Sequence, residues 1–178
     1  MILQGKIIKL LDNKKIVVID KVIFQGRQHI DWDNVELFIK QYVGMVVNIA
    51  ETGDKIHIGK DFPDEYANSN YSMGLRGTVA KAKANAAQSI CKMIEIASNK
   101  RYRENLKIKH IKNAEYGWYR YDTRFAMPVY DDKGKFERYN SFRAELLIRH
   151  ASDCKLYLYD VVNIKKETGT PHKQLPYG

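Results

Sequence analysis

One short segment of the 178-residue chain gathers the parts of an acid–base site: Lys107-Ile108-Lys109-His110. Histidine has an ordinary pKa of about 6.5, so it suits either half of a proton transfer near neutrality. Close cations disfavour the imidazolium and keep the ring neutral, as a base must be. On a helix, Lys107 and His110 share a face and Lys109 projects elsewhere, toward a neighbouring phosphate. A run of strict period two then begins at Trp118, with Arg120, Asp122 and Arg124 on one side. Metal-free cleavage of an RNA strand needs such groups. One takes the 2′-hydroxyl proton, one protonates the leaving oxygen, and cations stabilise the charge that develops on the phosphate. The planar fork of Arg124 is expected opposite His110, with Arg120 beside it and Asp122 orienting either an arginine or His110. Tyr121 and His150 are secondary candidates. The plainer alternatives are a solvent-facing histidine in a basic helix and a surface Arg–Asp–Arg ladder.

Other chemistries lack their signatures. There is no glycine-rich nucleotide loop, and no Cys/His or carboxylate set at metal-ligand spacing, so neither cofactor nor metal is expected. Cys91 and Cys154 do not make a disulfide framework. Ser89 and Ser141 have no base nearby in sequence, so nucleophilic catalysis is not indicated. His29, His57 and His172 lie away from the basic stretch. No apolar run approaches the roughly 20 residues that span a bilayer, and no leader is evident. A cytoplasmic setting is therefore expected.

The formal net charge is +9. Residues 76–124 hold 12 basic and 4 acidic residues, so nearly all the excess lies in one stretch. Clustered charge attracts a polyanion better than the same charge spread evenly. Lys81 and Lys83 in this stretch, and Arg149 on the polar face of the sheet, are expected to contact nucleic acid, with RNA as the partner. Lys83 falls near the apolar side of its helix and is expected to snorkel from the edge.

The elements that must position these groups can be read in order. With 44% apolar residues the chain can build a core. Residues 5–24 read as a β-hairpin turning at Asp12-Asn13-Lys14. Asp31 caps a helix that Gly44 closes. A second hairpin turns at Thr52-Gly53-Asp54, and residues 61–72 read as a loop. The alanine-rich stretch 76–98 reads as one amphipathic helix with Asn85 and Gln88 on its polar face. Residues 100–114 read as a second, basic helix. Strands follow at 118–129 and 137–150, then LYLYDVVNI after a turn at Ser152-Asp153-Cys154. The tail from Thr168 is expected to fray. The class is thus α+β: an N-terminal hairpin and helix region, two central helices, then a C-terminal antiparallel sheet. The division expected is a β-rich part over residues 1–60 and an effector domain over 61–178. Helices must cover one sheet face, which leaves Arg120, Arg124, Arg143 and Arg149 on the other.

The stretches IHIGKDFPDEYANSNYS, AKAKANAAQ, EYGWYRYDTRFAMPVYDDKGKFERYN and LLIRHASDCKLYLYDVVNIKKET resemble a large polyvalent protein-associated domain of phage and conjugative-element proteins. The resemblance covers about Trp32 to Thr170, with Cys154 where a glycine is the pattern. More remotely, Lys-x-Lys-His followed by Tyr116-Gly117 is similar to colicin D within the barnase–EndoU–colicin–RelE ribonucleases. That similarity implies acid–base work for His110 and phosphate contacts for Lys107 and Lys109. Two readings stay open. One is a metal-independent ribonuclease toxin acting on tRNA, the C-terminal effector of a mobile-element or polymorphic toxin protein, with an acidic immunity partner. The other is a non-catalytic module that binds nucleic acid or inhibits a host enzyme.

Overall fold

A computed structural model describes residues 5–26, 29–104 and 114–167. Strands β1 (Lys6–Lys9) and β2 (Lys15–Val18) form the first hairpin, with Asn13 at φ +66° in its turn. Helix α1 (Trp32–Ile39) is capped by the Asp31 carboxylate, which accepts from the Asn34 amide at 3.2 Å. Strands β3 (Val46–Asn48) and β4 (Lys55–His57) form the second hairpin.

The segment read as a loop over 61–72 instead forms two short helices, α2 (Phe62–Asn68) and α3 (Asn70–Gly74). Pro63 sits in the first turn of α2, where its missing N–H costs nothing, and the Ser69 hydroxyl caps α3. Their polar sequence hid a buried side: Phe62, Tyr66 and Ala67 are all in the core.

The alanine-rich stretch is two helices, α4 (Gly77–Ala86) and α5 (Ile90–Glu95), joined by a 3₁₀ turn. At that turn the Ala87 carbonyl accepts from the Tyr42 hydroxyl at 2.8 Å. Asn85 and Gln88 are buried rather than solvated. Asn85 Oδ1 accepts from the amides of Ile23 and Phe24, and Gln88 donates to the Lys21 carbonyl. The two amides thus satisfy the chain that crosses over the helix, which explains polar residues on a face that water never reaches.

The basic helix expected over 100–114 is overturned at its start. Ser98–Arg103 is strand β5 on the edge of β6 (Trp118–Tyr130). Charge rather than apolar periodicity suggested a helix there, and pairing on an open strand edge outweighed that propensity. Residues 105–113 lie outside the described ones. Gly117, at φ +98°, admits the approach of β5 to β6, since a Cβ there would meet the Arg103 carbonyl oxygen at 2.8 Å.

Strands β6, β7 (Phe136–His150) and β8 (Leu156–Lys166) form the antiparallel meander expected. The sheet runs β1-β2-β6-β7-β8-β4-β3, with β5 also on β6. The β2–β6 and β4–β8 pairs are parallel. Both early hairpins are therefore built into the same sheet as the C-terminal strands. The sheet curls so that Asp54, in the β3–β4 turn, accepts from Tyr121 of β6 at 2.6 Å and pairs with Lys100 of β5 at 2.9 Å. Tyr121, Phe125, Phe142, Leu146 and Ile148 fill one sheet face beneath the helices, as their alternation requires. The β7–β8 turn carries Cys154 at φ +66°. That left-handed backbone is one that glycine adopts without strain and a cysteine does not.

Candidate nucleic-acid interface

The outer face of β6 and β7 carries the expected arginines, and carboxylates meet them there. Arg120 pairs with Glu145 at 3.2 Å, and Arg101 of β5 bridges Asp122 at 2.9 Å and Glu145 at 2.8 Å. Asp122 also accepts from Asn99 at 2.9 Å, so among the described residues it is β5 that holds it. Arg124 presents its fork to Glu167, with Nε and Nη2 each 2.8 Å from a carboxylate oxygen. Arg143 lies 3.8 Å from the same carboxylate with its side chain 72% exposed. Burial pushes the Glu145 carboxyl up, but Asn163, Arg120 and Arg101 together hold it below its ordinary value. The open cleft over this face, about 1050 Å³, mixes Lys14, Lys15 and Lys165 with Glu51 and Glu95. It is a charge-balanced surface rather than a cationic platform.

Two expected site residues find other roles. Lys83 is fully buried, with its ammonium 2.6 Å from Asp160 and 2.7 Å from the Ser72 hydroxyl. Its stem is too far inside to snorkel, so Lys83 is corrected from a nucleic-acid contact to half of a core ion pair. Tyr121 is buried too, and burial followed by its bond to Asp54 pushes its phenol far up, away from acid–base work. Lys81 stays half-buried on α4. Lys107, Lys109 and His110 lie outside the described residues.

At the far end of the sheet the strands line up differently. Register pairs Arg103 with Trp118, Trp118 with Arg149, Arg149 with Tyr157, and Tyr157 with His57. Directly paired residues share a face. Arg103, Trp118, Arg149, Tyr157 and His57 therefore make one row across five strands, spaced about 4.8 Å apart and some 19 Å long. Cation and aromatic alternate along its first four members, and His57 adds a further ring at the end. The Arg149 guanidinium lies 4.3 Å from the centre of the Tyr157 ring, and His57 lies 5.5 Å beyond. Trp118 meets Tyr159 edge-on at 4.9 Å. Arg103 is exposed and the rings are half-buried, fixed at their base and open at their edge.

The opposite face at this end is aromatic as well. His150 lies 5.1 Å from Tyr116 and 5.9 Å from Tyr119, and Tyr102 lies 5.3 Å from Tyr119. Tyr102 and Tyr116 are 52% and 45% exposed, which is high for rings that could have been buried.

Beside the row, β4, β8 and the start of α2 border a shallow, open cavity of about 530 Å³. His57, Arg149 and Tyr157 form one wall, with Lys60, Asp61 and Asp153 around its rim. A Cβ at Gly59 would stand 3.3 Å from the Tyr157 ring, so the glycine keeps this wall open. Partial burial, then the nearby Lys155 ammonium, hold the His57 imidazole below its ordinary value, against the pull of Asp153.

Of the expected residues, the row contains Arg149 alone. His57 escaped because it reaches Arg149 only through the parallel β4–β8 pair, a contact between segments a hundred residues apart. The local signal was the alternation in Lys55-Ile56-His57-Ile58 and Lys155-Leu156-Tyr157-Leu158, which puts His57 and Tyr157 on exposed faces without saying that they meet. Compared with protein-family models, curated proteins and solved structures, the chain finds no match.

Proposed function

We propose that the chain binds single-stranded RNA across the Arg103–Trp118–Arg149–Tyr157–His57 row and cleaves it without a metal, as a toxin-type ribonuclease. The row carries this reading. Alternating aromatic rings and cations at strand spacing offer stacking for bases and charge for the phosphates between them. Such stacking tolerates any base and is worth about 1–3 kcal/mol per ring. The KxKH segment follows β5 and precedes β6 in the chain, and those strands hold the Arg103–Trp118 end of the row. His110 is the proposed acid–base group, with Lys107 and Lys109 as its phosphate contacts. A tRNA substrate, a mobile-element source and an acidic immunity partner belong to the same proposal.

One observation favours the second reading, a module that grips RNA without cutting it. Arg120 and Arg124, expected on the reacting phosphate, are committed to Glu145 and Glu167. Two measurements decide. First, Trp118→Ala should weaken binding of a labelled uridine decamer roughly tenfold or more while the circular dichroism spectrum is retained. Equal affinity would reject the row. Second, total RNA is profiled after incubation with wild type and His110→Ala in chelator. Fragments made only by the wild type support cleavage. Intact RNA with retained decamer binding selects the non-catalytic module, and cleavage that requires added magnesium rejects the metal-free mechanism.

A further inference from the structure

The cavity beside the row has a chemistry of its own. It is concave where the rest of the row is flat, and it lies at the His57 end, opposite Arg103. One wall holds the Arg149 guanidinium, which lies over the Tyr157 ring and is restrained by it. A fixed guanidinium binds oxyanions with less ordering cost than a free one. Around His57 stand the cations Lys55, Lys60, Arg149 and Lys155 and the carboxylates Asp61 and Asp153. Asp153 is already engaged. Its Oδ2 accepts from the Tyr157 hydroxyl at 2.5 Å and its Oδ1 from the Lys155 amide at 2.9 Å. The lining itself sets Lys60 and Arg149 against Asp61 and Asp153, and Lys55 and Lys155 beside His57 give its surroundings a surplus of two positive charges. Val43, Met45 and Ile58 supply an apolar floor on which a sugar can rest.

We propose that this cavity is a phosphate subsite, in which Arg149, His57 and Lys60 hold one phosphate of a bound nucleic-acid strand. The inference rests on the reading that RNA lies along the row. It differs from that reading in naming a discrete pocket rather than a stacking surface. The phosphate has two sources: the terminal monoester of a strand that ends in the cavity, or an internal diester of one that runs through it.

The test uses the whole chain and two uridine hexamers, one ending in a 5′-hydroxyl and one in a 5′-phosphate, followed by fluorescence anisotropy. Lys60→Glu reverses an exposed charge outside the row, and His57→Asn removes the imidazole. Hydrogen bonds to charged groups predict a loss of roughly tenfold to a hundredfold for each change. A loss confined to the phosphorylated hexamer supports a terminal monoester. A loss for both hexamers, with inorganic phosphate competing against both, supports an internal diester. Wild-type affinity of both variants for both hexamers, while Trp118→Ala still binds weakly, overturns the pocket and shortens the row to Arg103–Trp118–Arg149–Tyr157. Wild-type affinity in all three variants overturns the row, and the pocket with it.

Discussion

Lys83 shows what burial does to a residue chosen for its charge. Burial pushes its ammonium down and the Asp160 carboxyl up, and their 2.6 Å contact opposes both shifts. The rings of Tyr66 and Tyr71 lie 4.6 Å and 4.9 Å from the ammonium, and Ser69 donates to the second Asp160 oxygen at 3.0 Å. Desolvation consumes most of the attraction in such a pair, so its net value is small, whereas removing one partner strands the other. Lys83→Met should therefore destabilise by about 3–5 kcal/mol, read as the urea midpoint at pH 7. Lys83→Met with Asp160→Asn should recover a large part of that loss, because no charge is left buried. Equal midpoints for the single and double variants would show that the damage is packing rather than charge. RNA affinity scaled to the folded fraction should not change in either variant, since Lys83 reaches no surface.

At the scale of elements, pairing partners decided what patterns alone could not. Period two in 118–129 and 137–150 made the meander legible, because a one-residue slip would expose Phe125 and Phe142. Turn residues made both hairpins legible. The strand at Ser98–Arg103 was not, since only the open edge of β6 calls for it. The short helix α2 depends on Tyr66 reaching the Lys83 carbonyl, and the turn at Ala87 on the Tyr42 hydroxyl, contacts between segments far apart in sequence. The site divides in the same way: Arg149 was legible from local charge, and His57 required knowing that β4 lies beside β8. The curl that brings the β3–β4 turn to β5 and β6 rests on Asp54. Burial pushes this carboxyl up, but the Tyr121 and Thr52 hydroxyls and Lys100 hold it below its ordinary value. A depressed carboxylate contributes stability above its unfolded pKa, about 3.9, and that stability is lost as pH falls through the lower folded value. Urea midpoints between pH 5 and pH 3 should fall more steeply for wild type than for Asp54→Asn. Parallel curves would remove Asp54 from the closure of the sheet.

For the whole molecule, net charge and the place where charge acts are different quantities. The +9 comes mostly from residues 76–124, yet several cations of that stretch are compensated in place. Lys83 faces Asp160, Arg101 and Arg120 face Glu145, Lys100 faces Asp54 and Arg124 faces Glu167. A polyanion gains little from a cation whose carboxylate partner it must displace. Salt dependence should therefore report the phosphate contacts made at the row rather than the formal charge. For single strands the slope of log affinity against log salt is about −0.7 per phosphate neutralised. Contacts by Arg103, Arg149 and Lys60 together predict a slope near −2 for a uridine decamer. Arg103→Ala should make it shallower by about 0.7, whereas Arg124→Ala, on the compensated face, should leave it unchanged. A wild-type slope of about −6 or steeper would mean that the full basic stretch binds. An Arg124→Ala slope as altered as that of Arg103→Ala would place the nucleic acid on the β6–β7 face instead, with Glu167 displaced to admit it.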